Sequence, residues 1–386
     1  MPDMKEWKEV TSEPKRNEAQ DRFVEADWSN YYDTGYGRGA DVLKFFLMIF
    51  VFFASFGFPT FGFLGAISGY VPVLCQFVVP TFFILCGFFT LPKDEAVRGG
   101  KLSRGMKRSG ILFLALFVVL FAFNVIILLL QGTTDLSNLL SKRLWFNFLV
   151  MSYWPFPRGE TILFIRNLFY AYVVLLILHK TLLLRALKIP FLLLGAVGLL
   201  LGEFSGLIRL DLFGYGYLPA NAVTYAIPLM LFGALMREKF SLFLSIHPVL
   251  YWIMIVGGVA LSFGEFQFLS SLGVLRYLGM SVGSFFTAVG LAGWALVHPK
   301  INGSFFVLHG RSYARRMYYL SQPMFFVIML AAELLKPALI PFLMEYASVI
   351  LFAICFALAF LIGFVKDQIL FIRKMDREPG VGEAPR

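Results

Sequence analysis

Ten stretches of mostly apolar residues, each about twenty long, alternate along this chain with short segments that carry most of its charge. They fall near 41–62, 70–91, 110–131, 161–181, 189–208, 219–236, 245–263, 279–298, 317–335 and 341–365. ILFLALFVVLFAFNVIILLL (111–130) runs for twenty residues without a charge. As a helix it is long enough to cross a hydrocarbon core of about 30 Å. The pattern predicts an all-α, polytopic integral membrane bundle of about ten transmembrane helices, since inside lipid every backbone polar group must be satisfied within the protein. Ahead of the fourth run, LWFNFLVMSYWPFP (144–157) mixes aromatic residues with prolines and reads as an interfacial or re-entrant segment.

Composition supports the same class. Of 386 residues, 59% are hydrophobic, 15% are charged and 45 are phenylalanine. A soluble protein of this length could not cover so much apolar surface with so few charges. The net charge of +10 does not point to nucleic acid, because the basic residues sit in short clusters between apolar runs. Loops beside anionic lipid headgroups on the cytoplasmic side have that arrangement. With the N-terminus inside, 26 of the 34 Lys and Arg lie in or flank inner segments and six lie in outer loops. Both termini are therefore expected in the cytoplasm, and the membrane is expected to be the inner or plasma membrane of the cell.

The chain divides into a polar tail (1–40), a transmembrane domain (41–365) and a second tail (366–386). The first tail holds six basic and nine acidic residues and lacks the apolar core of a cleaved signal peptide. A short amphipathic piece is expected around WKEV (7–10). Cys75, Cys86 and Cys355 all fall within apolar runs and form no CxxC pair, which suggests neither a disulfide framework nor a metal site. No repeat at fixed spacing and no inverted pair of interrupted helices is visible, which weakens a transporter reading.

Chemistry is sought among polar groups inside the spans, where each costs several kcal/mol on rough scales unless partnered. Lys44 lies about one turn inside the first run, and Ser55 follows eleven residues later. Eleven steps of 100° make roughly three turns, so the two share a face about 16 Å long. The ordinary readings are an ammonium snorkelling to the interface, serines bonding the preceding turn, and a packing cysteine at position 86. Arg166 could likewise snorkel outward. The carboxylates Glu160, Glu203, Asp211, Glu265, Glu333 and Glu345 read mostly as solvated loop or span-end groups; one of them could serve as a base, but spacing does not say which.

Five segments together resemble the acyltransferase-3 superfamily of membrane acyltransferases, which includes sugar O-acetylases. DVLKFFLMIFVFFASFG (41–57) is similar to a first span with a basic residue, ten residues and then a histidine. VVPTFFILCGFFT (78–90) resembles the second span, with Cys86-Gly87-Phe88 where Ser-Gly-Phe is common. KLSRGMKRSG (101–110), ILFIRNLFYAY (162–172) and GRSYARRMYYLSQPMFF (310–326) resemble the basic stretch, the fourth span and a late segment that often ends in a histidine before proline. The resemblance implies transfer of an acyl group, usually acetyl, from cytoplasmic acyl-CoA to a carbohydrate or lipid-linked acceptor, with no tightly bound cofactor. It places Lys44, Cys86 and Gly87 on the acyl-CoA side, and Ser55, Arg166 and Ser321 in the catalytic set.

The departures bear on activity. Lys44 offers a compact ammonium where a guanidinium fork would bind two oxygens, and Ser55 and Ser321 stand where histidine is usual. His179, His247, His298 and His309 all map to the expected cytoplasmic ends or loops. A serine cannot act as a general base near neutral pH. Three readings stay open: an acyltransferase with a diverged site, a non-catalytic binding or scaffold relative, and a transporter of a polar lipid or sugar. The expected topology is directly checkable. Tags at both ends should be reached only from the cytoplasm, and a cysteine placed in 132–143 should react with an impermeant reagent outside; inside-only labelling of that loop would reverse the assignment.

Overall fold

The computed structural model describes residues 37–59, 65, 68–130, 142–149, 160–208, 221–273, 280–298 and 304–375. Residues 1–36 of the N-terminal tail, including the piece at WKEV, lie outside the described residues, and 37–40 form the first turn of a helix where the tail is expected to continue. About 90% of the structure is helical, and no strand occurs among the described residues. In chain order the helices are α1 (Gly37–Phe56), α2 (Val71–Leu74), α3 (Val78–Thr90), α4 (Glu95–Leu130), α5 (Lys142–Leu149), α6 (Glu160–Lys180) and α7 (Leu184–Ile208). A five-residue π-helical stretch (Ala222–Ala226) then runs into α8 (Ile227–Glu238). The rest are α9 (Phe240–Ser245), α10 (Pro248–Ser271), α11 (Val282–Val297), α12 (Ser304–Ser312), α13 (Ala314–Leu335), α14 (Ile340–Glu345) and α15 (Ala347–Met375).

Seven helices are long and apolar enough to cross a membrane: α1, the continuous Val71–Thr90 segment, α4, α6, α10, α13 and α15. The other three apolar runs are helical too. The π-helical stretch plus α8 spans 17 residues and α11 spans 16, both short of the roughly 20 that a bilayer asks for. Helix α7 carries Arg185, Lys188 and Pro190 in its first two turns.

Helix ends and apolar-run ends do not coincide. Helix α4 begins 15 residues before its apolar run and is 36 residues long, about 54 Å at 1.5 Å per residue. Its basic N-terminal half thus continues the span as helix. Helix α15 continues to Met375, ten residues past the boundary expected at 365. Helix α1 stops at Phe56, short of 62, because Gly57 adopts φ 84° and closes the last turn through its N–H to the Phe53 carbonyl, 3.1 Å away. Hydropathy marks where lipid contact ends; local backbone hydrogen bonding decides where a helix ends.

Helices α1, α3, α8 and α11 form the centre, whereas α4 and α10 expose most of their apolar surface. Helix α1 touches α3, α11, α12, α13 and α15. Lipid tails are as apolar as leucine, so helix pairing inside a bilayer depends on close packing rather than on burying apolar surface. Helices α3 and α8 meet backbone to backbone: a Cβ at Gly87 would run into the Met230 carbonyl, and one at Gly233 into the Ile84 carbonyl. Gly87→Ala should therefore destabilise the protein by about 1–3 kcal/mol, since a backbone carbonyl cannot step aside. Gly100→Ala, exposed on α4 with open space around it, should be neutral or stabilising. Thermal unfolding in detergent compares the two, and equal midpoints would refute the tight crossing.

Candidate functional site

At one end of the bundle, polar side chains from five helices converge on the last turn of α3. Lys44 sits on α1 with Asp41 one turn before it, and Nζ meets the Asp41 carboxylate at 2.8 Å. Asp41 is only 2% exposed, pressed against α12, where a Cβ at Gly310 would strike the Asp41 backbone carbonyl. The Lys44 ammonium also lies 5.5 Å from the centre of the Phe89 ring. Its surroundings are therefore a carboxylate and an aromatic ring of the protein, beyond what a snorkelling lysine requires.

Cys86 and Thr90 occupy successive turns of α3, and the Thr90 hydroxyl donates to the Cys86 carbonyl at 2.6 Å. From α6, Tyr172 comes up beside both Cys86 and Thr90. From α13, Tyr319 lies within electrostatic range of Cys86, Tyr172 and Arg315. Lys101 of α4 donates to the Phe89 carbonyl at 3.4 Å, and Arg237 of α8 donates to the Phe88 carbonyl at 3.2 Å. These cations answer the carbonyls that a helix leaves without intrahelical donors at its C-terminus, the negative end of its dipole. The Lys44–Asp41 pair is neutral as a unit, so positive potential here comes chiefly from Lys101, Arg237 and Arg315.

The remaining expected site residues are distributed differently. Gly87, one residue round α3 from Cys86, is buried against α8, where its missing Cβ permits a backbone contact with Met230. Arg166 lies six residues before Tyr172 on α6, about 9 Å towards the opposite end, and is 1% exposed. Its guanidinium donates to the Phe148 carbonyl in the last turn of α5 and to Asn167 Oδ1 at 2.6 Å. The Phe148 and Tyr170 rings lie 5.9 and 5.7 Å from it. Rather than snorkelling outward, Arg166 clamps the short helix that covers that part of the bundle.

Ser55 is half-buried on α1 and makes no hydrogen bond among the described residues. Ser321 is buried on α13, where its hydroxyl donates to the Tyr318 carbonyl at 2.8 Å. The two helices meet where Phe56 stacks on Phe325 at 5.4 Å, so both serines flank one contact, away from Lys44. No histidine accompanies them. His309 is stacked between Phe305 and Phe356, and the His298 ring engages the Trp294 carbonyl. His247 caps α10, and His179 lies against Gly99.

Glu265 is an exception among the outer carboxylates expected to be mostly solvated. It is buried in α10, where it accepts the Gly283 N–H at 3.2 Å and lies beside Val282 and Ser281. It thereby holds the N-terminus of α11, the positive end of that helix. Among the described residues, no three His, Cys, Asp or Glu come together to hold a metal ion.

Sequence reading missed Asp41, Thr90, Tyr172, Tyr319 and Lys101. The one available signal was the opposite charge three residues before Lys44, a spacing that places both on one helix face. No family model, curated protein or solved structure matches this chain.

The ion pair makes a signed prediction. Asp41→Asn leaves the Lys44 ammonium without its carboxylate and should cost about 1–3 kcal/mol. Adding Lys44→Met should recover most of that loss, because both charges then disappear together. Thermal unfolding of the two singles and the double reads this coupling; strictly additive losses would show that the pair contributes nothing.

Proposed function

We propose that this chain is a membrane O-acyltransferase, crossing the membrane with about ten helices and holding both termini in the cytoplasm. It takes an acyl group, usually acetyl, from cytoplasmic acyl-CoA and passes it to a carbohydrate or lipid-linked acceptor in an inner or plasma membrane. The observation that carries the reading is the polar cluster built by Lys44, Cys86, Thr90, Tyr172 and Tyr319 at the end of the bundle that the charge distribution assigns to the cytoplasm. Structural ion pairs and caps gather at many helix ends. This cluster differs in drawing hydroxyls and a thiol from separate helices towards the interior, a lining suited to a long polar chain entering end-on.

In this reading Lys101 and Arg315, with Lys44 behind them, attract the phosphates of the donor through charge-assisted hydrogen bonds. The Tyr172, Thr90 and Cys86 side chains line the path of the thioester arm. The acceptor hydroxyl attacks the acyl carbonyl, the C–S bond breaks, and the departing thiolate of CoA takes the hydroxyl proton. Atoms balance without a protein base, in keeping with Ser55 and Ser321, which offer none. The same two serines favour a second reading, a relative that binds acyl-CoA or a glycan without transferring anything.

Labelled acetyl-CoA supplied to membranes containing the protein separates the two, with label recovered in envelope carbohydrate. Lys44→Ala should weaken acyl-CoA binding and Lys44→Arg should retain it. Ser55→His should raise transfer, by as much as about 10²–10⁴ for a well-placed base. Binding without transfer in every form would favour the non-catalytic reading, and a chain that binds no acyl-CoA would exclude both.

A further inference from the structure

Gln322 is a buried polar side chain that neither the packing nor the proposed chemistry has used. It is 1% exposed, and neither its Oε1 nor its Nε2 has a hydrogen-bond partner among the described residues. A primary amide brings two N–H donors and one acceptor, and burying it unanswered costs several hydrogen bonds' worth of desolvation. A leucine or methionine would pack there without that cost. Its position is specific: Gln322 stands one helical turn beyond Tyr319 on α13, about 4.5 Å further from the cationic end and on nearly the same face.

Two further features mark this turn of α13. Pro323 follows directly and supplies no N–H to the Tyr319 carbonyl, so the helix loses a backbone bond beside the amide. Aromatic rings flank it along the helix, Tyr318 meeting Phe164 at 5.4 Å and Phe326 stacking on Phe123 at 5.8 Å. Among these apolar walls the amide is uncharged, which suits a neutral carbonyl and not a phosphate or carboxylate.

We propose that Gln322 binds the acyl carbonyl of the donor, its Nε2–H donating to the thioester oxygen once the thioester arm has passed Cys86, Tyr172 and Tyr319. This assignment rests on the acyl-transfer reading and deepens it. Gln322 would then hold the oxygen on which negative charge grows as the acceptor hydroxyl attacks.

The test compares acetyl-CoA with CoA, which differ only in the acyl group, by titration against the full-length protein in nanodiscs. Wild type should bind acetyl-CoA about tenfold tighter than CoA, the worth of one well-placed hydrogen bond. Gln322→Met should abolish that preference, leave CoA binding unchanged and keep or raise the unfolding temperature. Gln322→Leu serves the same comparison if the methionine variant does not fold. A preserved preference in the variants, or equal binding of the two ligands by wild type, would overturn the assignment while leaving the acyl-CoA reading in place. So would loss of transfer with the preference intact, which would move Gln322 to the acceptor. Wild type that binds neither ligand would remove the acyl-transfer reading itself, and this inference with it.

Discussion

The polar end of this bundle is organised by the termination of α3. A helix ending inside a protein leaves carbonyls that water cannot reach, and each must find a donor or cost several kcal/mol on rough scales. Here the Phe88 carbonyl takes Arg237 from α8 and the Phe89 carbonyl takes Lys101 from α4, while Lys44 from α1 lies against the Phe89 ring. Three cations from three helices are thus drawn to one point. With their charges directed at the helix end, Cys86 and Thr90 face Tyr172 of α6. The same requirement explains why the cations are so closely placed and why Asp41 is buried among them.

That arrangement needs α3 to sit at a defined depth and rotation. The backbone contact of Gly87 and Gly233 with α8 supplies this, since a close crossing permits only one register. At the other end of the bundle, a buried carboxylate plays the complementary part: Glu265 holds the N–H groups that open α11, and Arg166 holds a carbonyl that closes α5. Anions at helix N-termini and cations at C-termini thereby account for most of the charged side chains buried in the described structure.

For function, the contrast between the two levels of α13 is informative. Around Tyr319 the surroundings are cationic and hydroxyl-rich; one turn on, Gln322 places a neutral amide on a stretch of α13 flanked by the aromatic residues Tyr318 and Phe326. That gradient is what the acyl-CoA reading proposed above rests on, with a charged head at one level and a neutral reactive tip at the next. On the acyl-transfer reading proposed above, Ser55 and Ser321 offer no base, and the departing thiolate would take the acceptor proton.

How much of this was legible beforehand depends on the range of the forces involved. Among the described residues each of the ten apolar runs contains helix, and seven of these helices are long and apolar enough to cross a membrane, because lipid demands a continuous apolar stretch whose backbone bonds to itself. Lys44 as a residue of interest was legible too, since a charge within an apolar run has few ordinary explanations. The partners were not. Tyr172 and Tyr319 are two of sixteen tyrosines, and nothing local distinguishes them; Gly87 sits beside Cys86 in the same motif and turns to a different helix. Helix starts and stops also escaped, as at α4 and α15, because hydropathy reports the edge of the membrane and not the end of the hydrogen-bond ladder. By itself the sequence determined the class, the presence of the apolar helices and the position of Lys44 along its helix. Which side chains meet across helices was decided only in the tertiary structure, because helix rotation and depth in lipid are set by contacts between distant backbones, which leave no period in the chain.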